Sequence, residues 1–248
     1  GFEGGPGHMP GGPGGAGGPG GAGGPGGFGA HKMPERVRRP IEVEVMIPGY
    51  KATYVSNQVQ QPVIDDFMQG TYKNLLYDLY IPADYDNTKK YPIVMFIPDA
   101  SANGSDPLLA LAQGIGATCF AEPEMQKKHP CFVLAVQIPQ SVHLTNDDYT
   151  VAPELETIKE LLDSMIEKYS IDSGRIYTTG QSQGCMASCE LNVRYPDFFA
   201  ASMLVSGHWD VEKMSRLTKA HFFIGLSEGG LKEYPCMNEI TDRLEKQG

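Results

Sequence analysis

The sequence contains no run of 18 apolar residues, so no helix in it can span a bilayer. It has no CxxC pair, and its five cysteines are odd in number, which argues against a zinc ribbon or a closed disulfide framework. Cys119, Cys131, Cys185, Cys189 and Cys236 read instead as core thiols. His, Cys, Asp and Glu show no metal-ligand spacing, so neither a metal nor an organic cofactor is indicated. Positive charge is scarce, with 20 Lys and Arg against 30 Asp and Glu and a net charge of −10. Lys32, Arg36, Arg38 and Arg39 are opposed only by Glu3 and Glu35 in residues 1–40, a local +2 that leaves −12 on residues 41–248. A body that acidic repels phosphate backbones and anionic lipid, which argues against nucleic acid as a partner. An initiator Met and a signal peptide are also missing, so the chain is expected to be either the product of leader removal or a fragment.

Side chains themselves are lacking at the start. Of residues 1–30, 17 are Gly and 5 are Pro, which leaves almost nothing to bury against the entropy cost of ordering. Residues 11–28 are the triplets GGP GGA GGP GGA GGP GGF. Glycine recurs at every third position as in collagen, but the imino acids that stiffen a triple helix are too few. Residues 1–40 are therefore expected to be a flexible Gly/Pro-rich tail or linker ahead of one domain over 41–248. Such a spacer fits a secreted or cell-surface protein, without excluding a cytoplasmic one.

From residue 41 the pattern changes. Ile41–Ile47 alternates as a half-buried strand should, and Leu75–Ile81 is rich in β-formers and closed by Pro82. Ile93–Ile97, Phe132–Val136, Ile176–Thr179, Ala200–Val205 and His221–Ile224 are short apolar runs of the kind that form central strands buried on both faces. Between them, Pro153–Tyr169 places Leu155, Ile158, Leu161, Leu162, Met165 and Ile166 three and four apart, predicting an amphipathic helix. Gln183–Arg194 and Met237–Lys246 are shorter helical stretches. Strands alternating with helices predict an α/β fold with a mostly parallel sheet, helices on both faces, and the site at the carboxyl ends of the strands.

Gly180-Gln181-Ser182-Gln183-Gly184 falls between the strand Ile176–Thr179 and the helix that begins at Gln183. A strand-to-helix turn this sharp strains the central serine and lifts its hydroxyl above the sheet, and it needs small residues two before and two after. The Gln183 N–H, at the helix start, then points to where an oxyanion would form. These features predict Ser182 as a nucleophile and the Gln183 amide as an oxyanion donor.

The segments YDLYIPADYDNTKKYPIVMFIPDAS (77–101), KKHPCFVLAVQ (127–137), IDSGRIYTTGQSQGCMAS (171–188) and RYPDFFAASMLVSG (194–207) carry a resemblance to the α/β-hydrolase esterases of the polyhydroxybutyrate-depolymerase and feruloyl-esterase-like group. The resemblance runs from about residue 70 to 246. It implies a serine esterase working through an acyl-enzyme, with chain order nucleophile, acid, histidine. It implies a second oxyanion amide in the turn after the third strand, where this chain has Pro98-Asp99-Ala100-Ser101 in place of a His-Gly loop; the Ala100 amide is expected to fill that role, with Ser101 as an alternative donor and a candidate pocket residue. Asp99 brings a carboxylate near that turn, or else caps it. The acid is expected just after the strand ending near Gly225, where Glu228 is the best-placed carboxylate.

The histidine is implied beyond the last helix, whereas the chain ends at Gly248, which implies an α/β-hydrolase whose last strand is absent. His208, after the run Ala200–Val205, is a candidate pocket residue beside Trp209 and a candidate surrogate base. Three readings stay open: a serine esterase truncated before its histidine, a degenerate non-catalytic binding module on a Gly-rich stalk, and a peptidase of the related prolyl-oligopeptidase group. The expected partner is a small-molecule or polysaccharide-linked ester, with loops 98–128 and 138–152 walling the pocket and the oligomeric state left open.

Overall fold

A computed structural model describes residues 42–55 and 63–247. The expected tail, residues 1–40, lies outside the described residues. The first elements are β1 (Glu42–Ile47) and β2 (Tyr50–Val55), an antiparallel hairpin closed around Gly49, whose φ of 81° lies in the left-handed region. The alternation in β1 predicted one buried face, yet every residue of the strand is exposed. Alternation makes one face of a strand apolar but supplies nothing to cover it, and among the described residues the hairpin forms a separate two-stranded sheet.

The main sheet has seven strands in the order β3-β4-β6-β5-β7-β8-β9. They are β3 (Met68–Tyr72), β4 (Leu75–Tyr80), β5 (Tyr91–Ile97), β6 (Phe132–Gln137), β7 (Ile171–Gln181), β8 (Ala201–Val205) and β9 (Phe222–Gly225). β3 pairs with β4, and β4 with β6, antiparallel; from β6 through β5, β7, β8 and β9 every pairing is parallel. The pleat sorts the apolar runs into two cores. Ile93, Met95 and Ile97 of β5, with Phe132, Leu134 and Val136 of β6, face one side; Val94, Phe96, Val133 and Ala135 face the other. Fully apolar runs appear where a strand must be covered twice.

Helices lie on both faces. The first side is covered by α4 (Glu154–Lys168) and α5 (Gln183–Arg194), and the other by α1 (Leu109–Ala112) and α2 (Thr118–Ala121), with α3 (Pro123–Lys128) following α2. Beside α5, α6 (Val211–Met214) and α7 (Glu233–Glu245) enclose a third cluster around Trp209, Leu204, Met237 and Ile240. The predicted helix at Pro153–Tyr169 matches α4 within a residue at each end, because its apolar spacing is strong. By contrast α1, α2, α3 and α6 have four to six residues each, too short for a period to declare itself.

β8 and β9 depart from the expectation of strands buried on both faces. Met203 is 40% exposed and Phe223 66% exposed. The physical reason is coverage: α1 and α2 pack over β5 and β6, and the β7–β9 half of that face is an open apolar groove of about 650 Å³, lined by Tyr177, Met203 and Phe223 among others. All five cysteines are free thiols; Cys131, Cys185 and Cys189 are buried, and burial pushes the Cys131 thiol up to about 11.

Trp209 was expected as a pocket residue, but it is fully buried in the third cluster. Its indole N–H donates to Glu190 Oε2 at 3.0 Å, and the same carboxylate accepts from Arg194 Nε at 2.9 Å. A large ring with one donor is stable in a core only when that donor is met, and here a buried carboxylate meets it. Trp209→Phe leaves most of the packing but strips one partner from Glu190. It is expected to lower stability by about 1–3 kcal/mol in a urea titration; an unchanged midpoint would show that the ring acts by packing alone.

Candidate active site

The site forms where β5, β7 and β8 end together. Ser182 has φ 52° and ψ −114°, the left-handed side of backbone space for a residue with a Cβ. That strain is held from both sides. The Ser182 N–H donates to the Val205 carbonyl at 2.9 Å as if β7 continued, while the Ser182 carbonyl accepts from Met186 N at 3.0 Å as the first bond of α5. Between strand and helix the chain has no residue to spare, so the turn is taken in one step at the serine.

The two glycines have a steric reason. A Cβ on Gly180 would meet the Ile97 carbonyl oxygen at 2.6 Å, and one on Gly184 would fall inside the contact radius of that same oxygen. The ends of β5 and β7 and the start of α5 thus touch backbone to backbone, a contact any side chain would separate. Gly207 plays the matching part from β8: its Cβ would lie 3.0 Å from the Ser182 carbonyl and 2.6 Å from Cys185 Sγ.

Two backbone amides sit at first-turn positions near this crossing. Gln183 is the first residue of α5, and Ala100 is the first residue of the short 3₁₀ turn Ala100–Ala102. First-turn N–H groups have no partner inside their own helix. The next amide, Ser101 N–H, is already engaged, donating to Asp99 Oδ1 at 2.7 Å. Of the two amides that sequence left open in this turn, Ala100 is the one with its N–H uncommitted to the cap.

Asp99 is the N-cap of that turn, the milder of the two roles expected of it. It is also bracketed by Gln113, whose Nε2 donates to Asp99 Oδ1 at 3.0 Å and whose Oε1 accepts from Asp99 N at 2.8 Å. Asp99 Oδ1 is therefore committed to the turn and to Gln113. Gln113 Nε2 also lies 3.3 Å from Ser101 Oγ.

Glu228 sits at the exposed tip of the turn after β9. His208, after β8, is 6% exposed. The two are not brought together: His208 Nε2 lies 3.5 Å from Asp147 Oδ1, and Asp147 Oδ2 is ion-paired with Lys232. Tyr149 packs its ring edge-on to both His208, at 6.2 Å between centroids, and Trp209, at 5.4 Å. Asp147, Tyr149 and Lys232 carried no signal in the sequence, because each belongs to a polar loop and acquires its neighbours only from the fold. Among the described residues no group of three or more His, Cys, Asp or Glu side chains is placed to hold a metal ion, and no helix is long and apolar enough to cross a membrane.

Strand order, the strained serine and the glycine crossing define an α/β-hydrolase fold with a sharp strand-to-helix turn at Ser182. No family profile matches the chain. Among solved structures it is similar to a thermostable esterase, with a TM-score of 0.74 and 27% identity over 79% of this chain and 56% of that one. A feruloyl esterase module from Clostridium thermocellum, solved with sinapinate, shares the fold at a TM-score of 0.55 and 14% identity over 72% of each chain. In sequence, 54 residues are 37% identical to poly(3-hydroxyalkanoate) depolymerase C of Paucimonas lemoignei, which is 22% of this chain and 13% of that protein. The chain therefore spans little more than half of the thermostable esterase and a small part of the depolymerase.

Burial lowers the pKa of His208 below the usual histidine value, with Lys232 acting in the same direction and Asp147 and Glu233 opposing. The folded protein thus resists protonation of His208 while the unfolded chain accepts it near 6.5. This group's contribution to stability is complete above that value and is lost as pH falls from it toward the lower folded pKa. His208→Gln is expected to make the fall in urea midpoint between about pH 7 and pH 5 shallower than in wild type; parallel curves for the two proteins would refute the assignment.

Proposed function

We propose that this α/β-hydrolase cleaves carboxylic esters through an acyl-enzyme on Ser182. The observation that carries the reading is the strained backbone of Ser182, held over the sheet by the Gly180 and Gly184 contacts with Ile97. Strain of this kind persists only where the surroundings impose it, and it is what presents a serine hydroxyl to an incoming carbonyl.

In this mechanism Ser182 Oγ attacks the ester carbonyl carbon and gives its proton to a general base. The carbonyl oxygen becomes an oxyanion held by the Gln183 and Ala100 N–H groups. Collapse breaks the carbon–oxygen bond to the alcohol, which leaves with the proton returned by the base. Water, deprotonated by the same base, then attacks the acyl-enzyme, releasing the carboxylic acid and restoring the hydroxyl. Glu228, on the loop after β9, is assigned to orient the base histidine. The names of the similar proteins, an esterase, a feruloyl esterase module and a poly(3-hydroxyalkanoate) depolymerase, support small-molecule or polymeric esters as the substrate class, and the Gly-rich start supports an exported or surface location.

The His208–Asp147 contact favours a second reading of the base, with His208 in that role and Asp147 in place of Glu228. A fluorophosphonate probe, which reacts with activated serines, separates these readings on full-length protein. Wild type is expected to be labelled and Ser182→Ala to be silent. Labelling that survives in Ser182→Ala would sink the nucleophile assignment. Labelling retained in His208→Ala assigns the base elsewhere, and labelling lost from a folded His208→Ala assigns it to His208. No labelling of wild type would favour a non-catalytic binding module.

A further inference from the structure

The two amides assigned to the oxyanion belong to segments far apart in the sequence, and a pair of side-chain amides 80 residues apart joins those segments directly. Asn103 ends the turn that Asp99 begins, its N–H donating to the Ala100 carbonyl at 3.1 Å. Its side chain pairs with that of Gln183 in both directions: Asn103 Nδ2 donates to Gln183 Oε1 at 3.3 Å, and Gln183 Nε2 donates to Asn103 Oδ1 at 3.0 Å. Asn103 Nδ2 also donates to the Val142 carbonyl at 2.9 Å, and Gln183 Oε1 accepts the Leu144 N–H at 3.3 Å. Gln183 Nε2 reaches the Pro98 carbonyl at 3.5 Å, just before the turn.

Gln183 is 1% exposed, so these bonds are made away from bulk water, where an amide has few alternative partners. The residue that offers one amide through its backbone thus grips, through its side chain, the turn that offers the other. The other end of the turn is gripped by Gln113 through Asp99. A turn of three residues clamped at both ends has little freedom to shift.

We propose that Asn103 is a positioning residue that sets the separation of the Ala100 and Gln183 N–H groups by docking the turn onto the Gln183 side chain. The inference rests on the ester-hydrolase reading. Two donors stabilise one oxyanion only when both lie within hydrogen-bond distance of the same point, so a displacement well under an ångström weakens the transition state more than the bound substrate.

Hydrolysis of 4-nitrophenyl acetate by the full-length protein tests it. Asn103→Ala is expected to lower kcat by roughly 10- to 100-fold, somewhat less than loss of a whole oxyanion donor, with KM within about two-fold of wild type. Asn103→Asp, which keeps the shape but replaces the donor facing the Val142 carbonyl with an acceptor, is expected to fall in the same range and serves if the alanine variant does not fold. The rate of fluorophosphonate labelling is expected to drop in parallel. A folded variant with wild-type kcat, or one whose loss lies in KM alone, overturns the positioning role while leaving the esterase reading intact. A wild-type protein that neither hydrolyses the ester nor takes the probe overturns both.

Discussion

The site depends on one contact: the backbone of Gly180 and Gly184 pressed against the Ile97 carbonyl at the end of β5. This crossing brings a parallel strand, a helix start and a neighbouring strand end closer together than any side chain would allow. It leaves Ser182 no relaxed conformation, it puts the first turn of α5 beside the turn that follows β5, and it brings the Ala100 and Gln183 segments together. Gly207 repeats the device from β8, against the Ser182 carbonyl.

Around that crossing the polar side chains are mostly committed to holding loops. Asp99 caps its own turn, Gln113 brackets Asp99, Asn103 and Gln183 pair with each other, and Asp147 binds Lys232 beside His208. A carboxylate so near the proposed oxyanion site would oppose the proposed catalysis if it pointed inward. Donation from Ser101 N–H and Gln113 Nε2 ties Asp99 Oδ1 to the turn and to Gln113.

The remainder of the fold follows from coverage. β5 and β6 are apolar on both faces because helices pack on both, whereas β8 and β9 carry apolar residues on a face that α1 and α2 do not reach. The runs Ala200–Val205 and His221–Ile224 looked like central strands because composition reports what a strand prefers to meet, not whether it meets it. The same limit applies to β1, whose clean alternation sits in an exposed hairpin.

Periodicity and one pentapeptide were enough to determine the alternating α/β order, the long helix α4, and Ser182 at a strand-to-helix junction, because strand pleat, helical turn and elbow sterics all act within a few residues. The resemblance, rather than any local pattern, pointed to Ala100 and Ser101 for the second amide. Only the folded chain committed the Ser101 N–H to the Asp99 cap, carried Trp209 into the core, set His208 beside Asp147, and joined Asn103 to Gln183. Asn103 and Gln183 are 80 residues apart and Lys232 and Asp147 are 85 apart. Contacts across such separations are set by how strands stack side by side, and no local pattern records which polar loop residue will find which.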